Sequence, residues 1–408
     1  MSLEEELKAE GRRLGFHRVG IAPASELARA RALLQSQAEQ GTYPAFTHPD
    51  AALRTDPSRW LEGARSVVAV ALAYPHPPRS APSDGSPRGL VARYACFEDY
   101  HPVIEEGLRK LMALLARRAG RPVRWRLLVD TGPAVDRAVA EKAGLGGVGK
   151  NGCLFVNGAG SWVVLGEAVT DVALTPDEPV SLDCGTCNRC VEACPTGALE
   201  PYRVDPRLCI SEATQLRGPL PGERRESLGR YVWGCDICQQ VCPWNRDVDP
   251  EGALLDPLPQ VGPNPSLLEL LTLTRQGFRE RFAHSALNWR DEKVLQRNAA
   301  YALGNLRRAS TVPALAERLV ADPSPTVRGA AAWALGRIAT ARAVEALAAA
   351  LVTECDRGVR RELEDALRVA RSSPSPPSKP RRHPARAPGR RGSESPPRPA
   401  PAPPGSRC

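Results

Sequence analysis

No stretch of this sequence approaches 18 consecutive uncharged apolar residues, so a membrane-spanning helix is excluded on length. The opening MSLEEELKAEGRRLGF carries acids and bases where a secretory signal needs an apolar core, and no twin-arginine export signal is present. The expectation is a protein of the cytoplasm with no membrane attachment. There is no Cys-x-x-Cys-His for covalent haem and no separate flavin motif. Charge is also scarcer than the formal +9 suggests. Residues 371–408 hold nine Arg or Lys against the single acid Glu394, which leaves only about +1 for everything before them. Global charge therefore assigns no nucleic-acid surface to the folded body. The same tail holds twelve prolines and almost no large apolar side chains, so it cannot offset the entropy of folding, and disorder is predicted over 371–408.

Two nucleotide signatures nearly appear and fail. Gly144-x-Gly146-x-x-Gly149 follows a helical pattern rather than a strand, so the dinucleotide context is missing. Asn151 stands where a P-loop needs a Ser or Thr for magnesium. What remains is a close-approach loop whose Gly146, Gly149, Lys150 and Asn151 suit cradling a large polar cofactor through main-chain amides.

Cysteine, by contrast, is abundant: twelve residues, eight of them between 184 and 242. In a reducing compartment such packing reads as metal ligands rather than disulfides. Cys184-x2-Cys187-x2-Cys190-x3-Cys194-Pro195 has the bacterial ferredoxin spacing, in which the fourth cysteine serves the other cluster. Cys209 and Cys235-x2-Cys238-x3-Cys242-Pro243 complete a second set. Crossing the fourth ligands assigns cluster one to Cys184, Cys187, Cys190 and Cys242, and cluster two to Cys194, Cys209, Cys235 and Cys238. Two zinc sites of four thiolates are the competing reading. Zinc knuckles, however, come as two Cys-x2-Cys halves, whereas three cysteines at x2-x2 spacing wrap one cubane. Cys96, Cys153, Cys355 and Cys408 lie outside the set.

The organisation along the chain reads as an α/β unit over 1–180, a ferredoxin-like two-cluster unit over 181–247, a Pro/Gly-rich linker over 248–265, HEAT-like helical repeats over 266–370, and the tail. In the first unit the periodicity predicts a helix at the start, a buried strand over 66–74, a helix over 102–119, a strand over 123–129 and a helix over 134–143. Strands over 154–156 and 162–169 are expected as a hairpin across Asn157-Gly158. In the repeats, segments beginning at Leu295, Val327 and Val359 recur at intervals of 32 residues, with Gly304 and Gly336 placed for close helix approach. The repeats are either a structural solenoid or a docking surface presenting Arg297, Arg307, Arg308, Arg328 and Arg337 to a polyanion.

Within the first unit, Asp130 falls at a strand end, where α/β proteins place reacting groups. It reads equally as a proton donor or as the cap of the next helix. The segment from Arg93 to His101 gathers Tyr94, Cys96, Asp99 and Tyr100 just ahead of a helix. Cys96 alone is more often a small buried hydrophobe than a reactive thiol.

On these residues the chain resembles the epoxyqueuosine reductases, over about residues 1–370. The resemblance rests on Arg93-Tyr-Ala95 with Asp99-Tyr-His101, Val129-Asp-Thr-Gly-Pro133, Ala143-Gly-Leu-Gly146 with Val148-Gly-Lys-Asn-Gly152, the cysteine runs through Leu199 and from Tyr231 to Arg246, and Gln296-Arg-Asn-Ala299. It implies a cobalamin-binding catalytic domain and a repeat unit that helps hold the anticodon stem-loop of GUN-anticodon tRNAs. The implied reaction reduces the epoxide of the modified wobble base in a monomeric enzyme fed by an external low-potential electron donor. It also implies base-off cobalamin, since His101 lacks the glycine that follows an axial histidine. Asp130 would be the proton donor and Cys96 a cysteine beside the cofactor, with Arg93 and Tyr94 as further contacts. Electrons are expected to enter at cluster two and leave from cluster one. A corrinoid reductase acting on a small molecule, resembling the dehalogenases, and a non-catalytic electron-transfer protein are the alternatives.

Overall fold

The computed structural model describes residues 1–77, 85–248 and 254–372; the tail expected to be disordered lies, from residue 373, outside the described residues. Among the described residues no helix is long and apolar enough to cross a membrane.

The first unit is built on a four-stranded antiparallel sheet. We number its strands, with three short ones nearby, β1 (Arg18–Pro23), β2 (Ser66–Ala73), β3 (Leu90–Val91), β4 (Trp125–Leu128), β5 (Gly147–Val148), β6 (Leu154–Phe155) and β7 (Val163–Thr170); the sheet order is β1-β2-β7-β4. Strand β2 is apolar from Val67 to Ala73, and both its faces are covered. Val68, Val70 and Leu72 face the Tyr100–Ala119 helix side, and Val67, Ala69, Ala71 and Ala73 face the Asp136–Lys142 side. Burying each such side chain contributes about 1.5–3 kcal/mol for the larger residues, and together they fix the strand centrally.

The expected 154–169 hairpin is not formed. Strand β6 pairs with β5 instead, β7 joins the large sheet, and only an isolated Val156–Gly160 bridge marks the Asn157-Gly158 turn. The glycine loop competes successfully for β6 because Gly146 lets it lie against the Phe155 carbonyl, where a Cβ would stand 2.0 Å away.

Residues 254–265, expected as part of a linker, form a strap on the first unit. The amides of Gly89, Val91 and Glu98 donate to the carbonyls of Pro265, Pro263 and Asp256, and the Leu258 amide donates to Cys96. Leu255 and Val261 are buried beneath it. The cysteine-rich unit is attached by its strand Tyr231–Trp233, which runs parallel to β3.

The repeats stack as expected, with Glu292–Leu306, Pro325–Ile338 and Arg357–Ser372 as successive equivalent helices. A Cβ at Gly304 would stand 2.8 Å from the Ala334 Cα, and one at Gly336 2.8 Å from the Ala366 Cα, so both glycines permit close approach. Of the five arginines expected on a docking surface, Arg297 is buried, and Arg328 and Arg337 are partly buried in ion pairs. Arg297 is fully buried and donates to the carbonyls of Leu216 (2.5 Å), Gly218 (2.6 Å) and Ala213 (3.2 Å) and to Asn298 Oδ1 (2.7 Å). Arg328 pairs with Glu354 at 2.7 Å and Arg337 with Glu226 at 2.9 Å. Sequence spacing could not reveal the acceptors that hold Arg297 inside or the acids that pair with Arg328 and Arg337. Arg307 and Arg308 remain exposed.

Burial pulls the Arg297 guanidinium down to about 10, so it stays charged at neutral pH. Arg297→Met, which leaves four acceptors without their donor, should lower stability by about 3 kcal/mol or more in denaturant titration. A loss below about 1 kcal/mol would show the network to be dispensable.

Candidate active site

Asp130 lies just beyond β4 in a left-handed backbone conformation, φ 51°, which costs a non-glycine residue about 1–3 kcal/mol and recurs at functional sites. It caps nothing: the Asp136–Lys142 helix starts after Val135 with no side-chain cap. The Asp130 side chain is 61% exposed and opens into two adjoining cavities of about 720 and 540 Å³. Tyr100 O–H donates to its Oδ2 at 2.7 Å. Burial, reinforced by the Asp130 charge, pushes the Tyr100 phenol well above its ordinary pKa and keeps it a donor.

His101 stacks on Tyr100 with ring centroids 4.2 Å apart. Its Nδ1 is 2.6 Å from Asp99 Oδ1, and its Nε2 is 3.8 Å from Asp130 Oδ2. Burial alone would depress this imidazole, but the hydrogen bond and charge of Asp99, with Asp130 and Glu105, outweigh it and raise the pKa. The Nε2 atom is buried without a hydrogen-bond partner. Packing sets both rings: Asp99 caps the Tyr100–Ala119 helix, and Gly166 on β7 admits Ile104 one turn along, where a Cβ would stand 2.5 Å from its Cγ2.

The cavities lie where the three units meet. Val163, Val164 and Leu165 of β7 form a shared wall, Cys153 and Gln239 contribute from the cluster side, and Ala286 and Trp289 from the repeat side. Strand β4 covers only residues 167–170 of β7. The Tyr74 amide bonds the Trp162 carbonyl, so even-numbered β7 residues turn their main chain toward β2. The main-chain groups of Val163 and Leu165 therefore point to the uncovered side, an open edge that suits a large ligand bearing peripheral amides.

Of the expected cofactor contacts, Asp130 and Tyr94 are on this wall and the others are not. Tyr94 accepts a hydrogen bond from Trp233 Nε1 at 3.1 Å. Cys96 is 1% exposed and absent from the lining, its thiol hydrogen-bonded to the Ala92 carbonyl; burial pushes it up to about 12, which leaves it an inert thiol. Arg93 is buried in the frame, donating to Pro75 and Tyr74 carbonyls and stacking over Trp162 at 4.4 Å. The glycine loop faces the cysteine-rich unit: Lys150 donates to Gly185 (2.7 Å), Cys187 (3.1 Å) and Asn188 (3.0 Å). Gly146 and Gly149 pack on Phe155, and the Gly149 amide bonds Cys153 internally, so no cradle of amides is presented to the cavity. Asn151 is buried, its Oδ1 accepting from the Cys153 amide. Sequence density near Arg93 and Cys96 was a real signal, but of packing beneath the site.

The cysteines separate into two groups. Cys184, Cys187, Cys190 and Cys242 line one cavity of about 200 Å³ with Lys150, Asn151 and the 54%-exposed Trp244. Cys209, Cys235 and Cys238, with Cys194, are near enough to influence one another's ionisation. This second group adjoins the active-site cavity: Cys153, on the cavity wall, is near enough to Cys238 for the two thiols to influence each other's ionisation. The expected order of the groups is thus reversed, with the Cys184 set toward solvent and the Cys238 set toward the cavity. Sequence fixed neither depth nor neighbour, and the contact through Cys153 was not foreseen.

A buried carboxyl pair stands behind Asp130. Glu167 on β7 is 1% exposed, and Asp136 lines the larger cavity. Burial raises both; the Asp136 charge pushes Glu167 further, while their mutual hydrogen bond partly offsets the rise at Asp136. A carboxyl raised on folding supports stability below its unfolded pKa near 4 and loses that support as pH rises through its folded value, about 6 for Asp136. Glu167→Gln should therefore flatten the fall in Tm from about pH 4 to pH 6. An unchanged slope in thermal melts across that window would show that the pair carries no such linkage.

Comparison with known proteins accords with this arrangement. The family model described as Epoxyqueuosine reductase QueG, DUF1730 matches residues 54–131, that for the 4Fe-4S double cluster binding domain matches 183–245, and that for HEAT repeats matches 281–368. The epoxyqueuosine reductase of Bacillus subtilis is 38% identical over 378 residues, 91% of this chain and 97% of its own. That of Bacillus anthracis is 38% identical over 336 residues, 81% and 87% respectively. A crystal structure of epoxyqueuosine reductase with an epoxyqueuosine-modified tRNA-Tyr stem loop superposes with a TM-score of 0.85 at 37% identity, covering 91% of this chain and 99% of that one. A structure of the Bacillus subtilis enzyme with its aspartate-bearing catalytic loop swung out of the active site gives 0.83 at 37% identity, covering 90% and 98%. The chain belongs to the epoxyqueuosine reductase family.

Proposed function

We propose that this chain reduces the epoxide of epoxyqueuosine, at the wobble position of GUN-anticodon tRNAs, to the alkene of queuosine in the cytoplasm, where thiolates remain reduced. The reaction consumes two electrons and two protons and releases water. The observation that carries this reading is the Asp130 carboxyl, exposed in a cavity that Cys153 joins to the inner cysteine group.

The residues present fit base-off cobalamin. The open β7 edge suits a macrocycle with peripheral amides, and the cavity volumes are at the large end for a ligand site. The acids around His101 favour the imidazolium, which has no lone pair for an axial bond to metal. When bound, cobalamin supplies the strongly reducing cobalt that delivers electrons to the epoxide carbon. We assign the inner cluster to Cys194, Cys209, Cys235 and Cys238 and the outer to Cys184, Cys187, Cys190 and Cys242, so an external donor meets the outer set first.

The chain's own work at the epoxide is to move protons. Asp130 relays a proton to the epoxide oxygen, which would otherwise leave as a poorly stabilised alkoxide. Tyr100 fixes the carboxyl's orientation, and His101, beside it, restores the proton.

The holoenzyme should convert an epoxyqueuosine stem-loop to queuosine, followed by mass spectrometry, and an inert RNA would end this reading. Asp130→Asn should keep iron and corrinoid yet lose about 100- to 10,000-fold in turnover; full activity would remove Asp130 from the chemistry. Cys194→Ser should abolish the electron paramagnetic resonance signal of the inner cluster and spare the outer. The opposite pattern would overturn the crossed assignment.

A further inference from the structure

The repeat side of the cavity carries an aromatic device that the proton and electron chemistry leaves unused. Trp289 is 46% exposed and Phe46 40% exposed, although both line the cavity that holds Asp130. Solvent-exposed large aromatics at a cavity mouth ask for an occupant. The Arg290 guanidinium carbon lies 3.3 Å from the Trp289 ring centroid and 4.9 Å from that of Phe46, while the two rings are 5.2 Å apart at 86°. At 3.3 Å the guanidinium must lie over one indole face. The other two separations then put Phe46 beside the indole edge, on the guanidinium's side. The opposite face of Trp289 is left uncovered by either group.

That face is also held in place. Arg290 Nε donates to the Gln215 carbonyl at 2.7 Å, so the cation backing the indole is anchored to the cysteine-rich unit, and Phe46 braces the edge from the first unit. Little conformational entropy remains to be lost when a flat partner arrives. The exposed Arg217 lies near enough to Arg290 to add to the depression of its pKa that burial begins, so two cations flank the platform. A planar π-system joined to phosphate is the chemistry that this combination of free aromatic face and positive charge accommodates.

We propose that the free face of Trp289 is a stacking platform for one unpaired anticodon-loop base adjoining the wobble nucleotide, with Arg290 and Phe46 holding the indole in register. The proposal rests on the tRNA reading above and adds the surface that grips the loop beside the reacting nucleoside. Continuity of the platform with the Asp130 cavity is what selects a neighbour of the wobble nucleotide over a more distant one. Trp289 is a positioning residue: it acts on where the RNA lies, not on the bonds that change.

The test measures binding of an epoxyqueuosine stem-loop to the corrinoid- and iron-loaded enzyme by fluorescence anisotropy. Trp289→Ala should weaken binding about tenfold to a hundredfold and raise KM while leaving kcat at saturating RNA, iron content and corrinoid absorption in place. Trp289→Phe should recover most of the affinity. From the RNA side, stem-loops abasic at one or the other neighbour of the wobble position keep the question open even if the alanine variant folds poorly. One of them should bind wild type more weakly by a similar factor and lose nothing further with Trp289→Ala. Unchanged affinity of Trp289→Ala, or indifference of wild type to both abasic loops, would overturn the platform while leaving the tRNA reading standing. Failure of wild type to bind any stem-loop would overturn both.

Discussion

The arrangement depends first on a polar knot rather than on an apolar core. Arg297 and Asn298, on the first long helix of the repeats, reach into the cysteine-rich unit and satisfy the carbonyls of Ala213, Thr214, Leu216, Gly218 and Val232. None of the eight cysteines of that unit is fully buried, and its short helices carry little apolar surface. A segment with so little core takes its shape from metal ligation and from donors supplied by its neighbours. Lys150 holds the outer loop, Asn245 locks onto Ser161, and the Asp236 carboxylate accepts the Arg93 amide. The cavity that these clamps enclose exists only because all three regions close on one another.

Inside that frame, the site separates its two currencies. In the proposed reaction, protons would be managed on the helix-and-β4 side, where Asp99, His101, Tyr100 and Asp130 lie within direct hydrogen-bonding or charge contact. On the same proposal, electrons would come from the opposite side, where Cys153 and Gln239 line the wall and Cys153 lies near Cys238 of the inner cysteine group. The β7 edge and the space beside it lie between the two. Such separation lets the acid stay oriented whatever the oxidation state of the metal centres, because its partners Tyr100 and His101 belong to a different packing layer.

Much of the framework was legible in residue pattern. Apolar continuity marked β2, helical periodicity marked the Tyr100–Ala119 helix, the 32-residue interval marked the repeats, and cysteine spacing separated two groups of four. The position of Asp130 just beyond a strand was readable because a strand pattern ended there. Three features were not. The β5–β6 pairing defeated a good hairpin turn because Gly146 offered β6 a closer partner. Arg297 looked like a surface cation, since its acceptors come from a segment some eighty residues earlier. Phe46, Cys153 and Trp289 stand far apart in sequence in unremarkable surroundings, and only the folded chain brings them to one wall.

The strap formed by residues 254–265 sets a limit on how this molecule can be divided. A fragment ending before it would retain every cluster ligand and the whole sheet, yet the amides of Gly89, Val91 and Glu98 would lose their acceptors and leave a raw edge beside Tyr94. Unpaired main chain of that kind recruits other chains. Shortening from the carboxyl end therefore has to stop past the last cluster cysteine, Cys242: the repeats could be shed with the strap in place, whereas a chain ending before the strap would need a different cover for that edge.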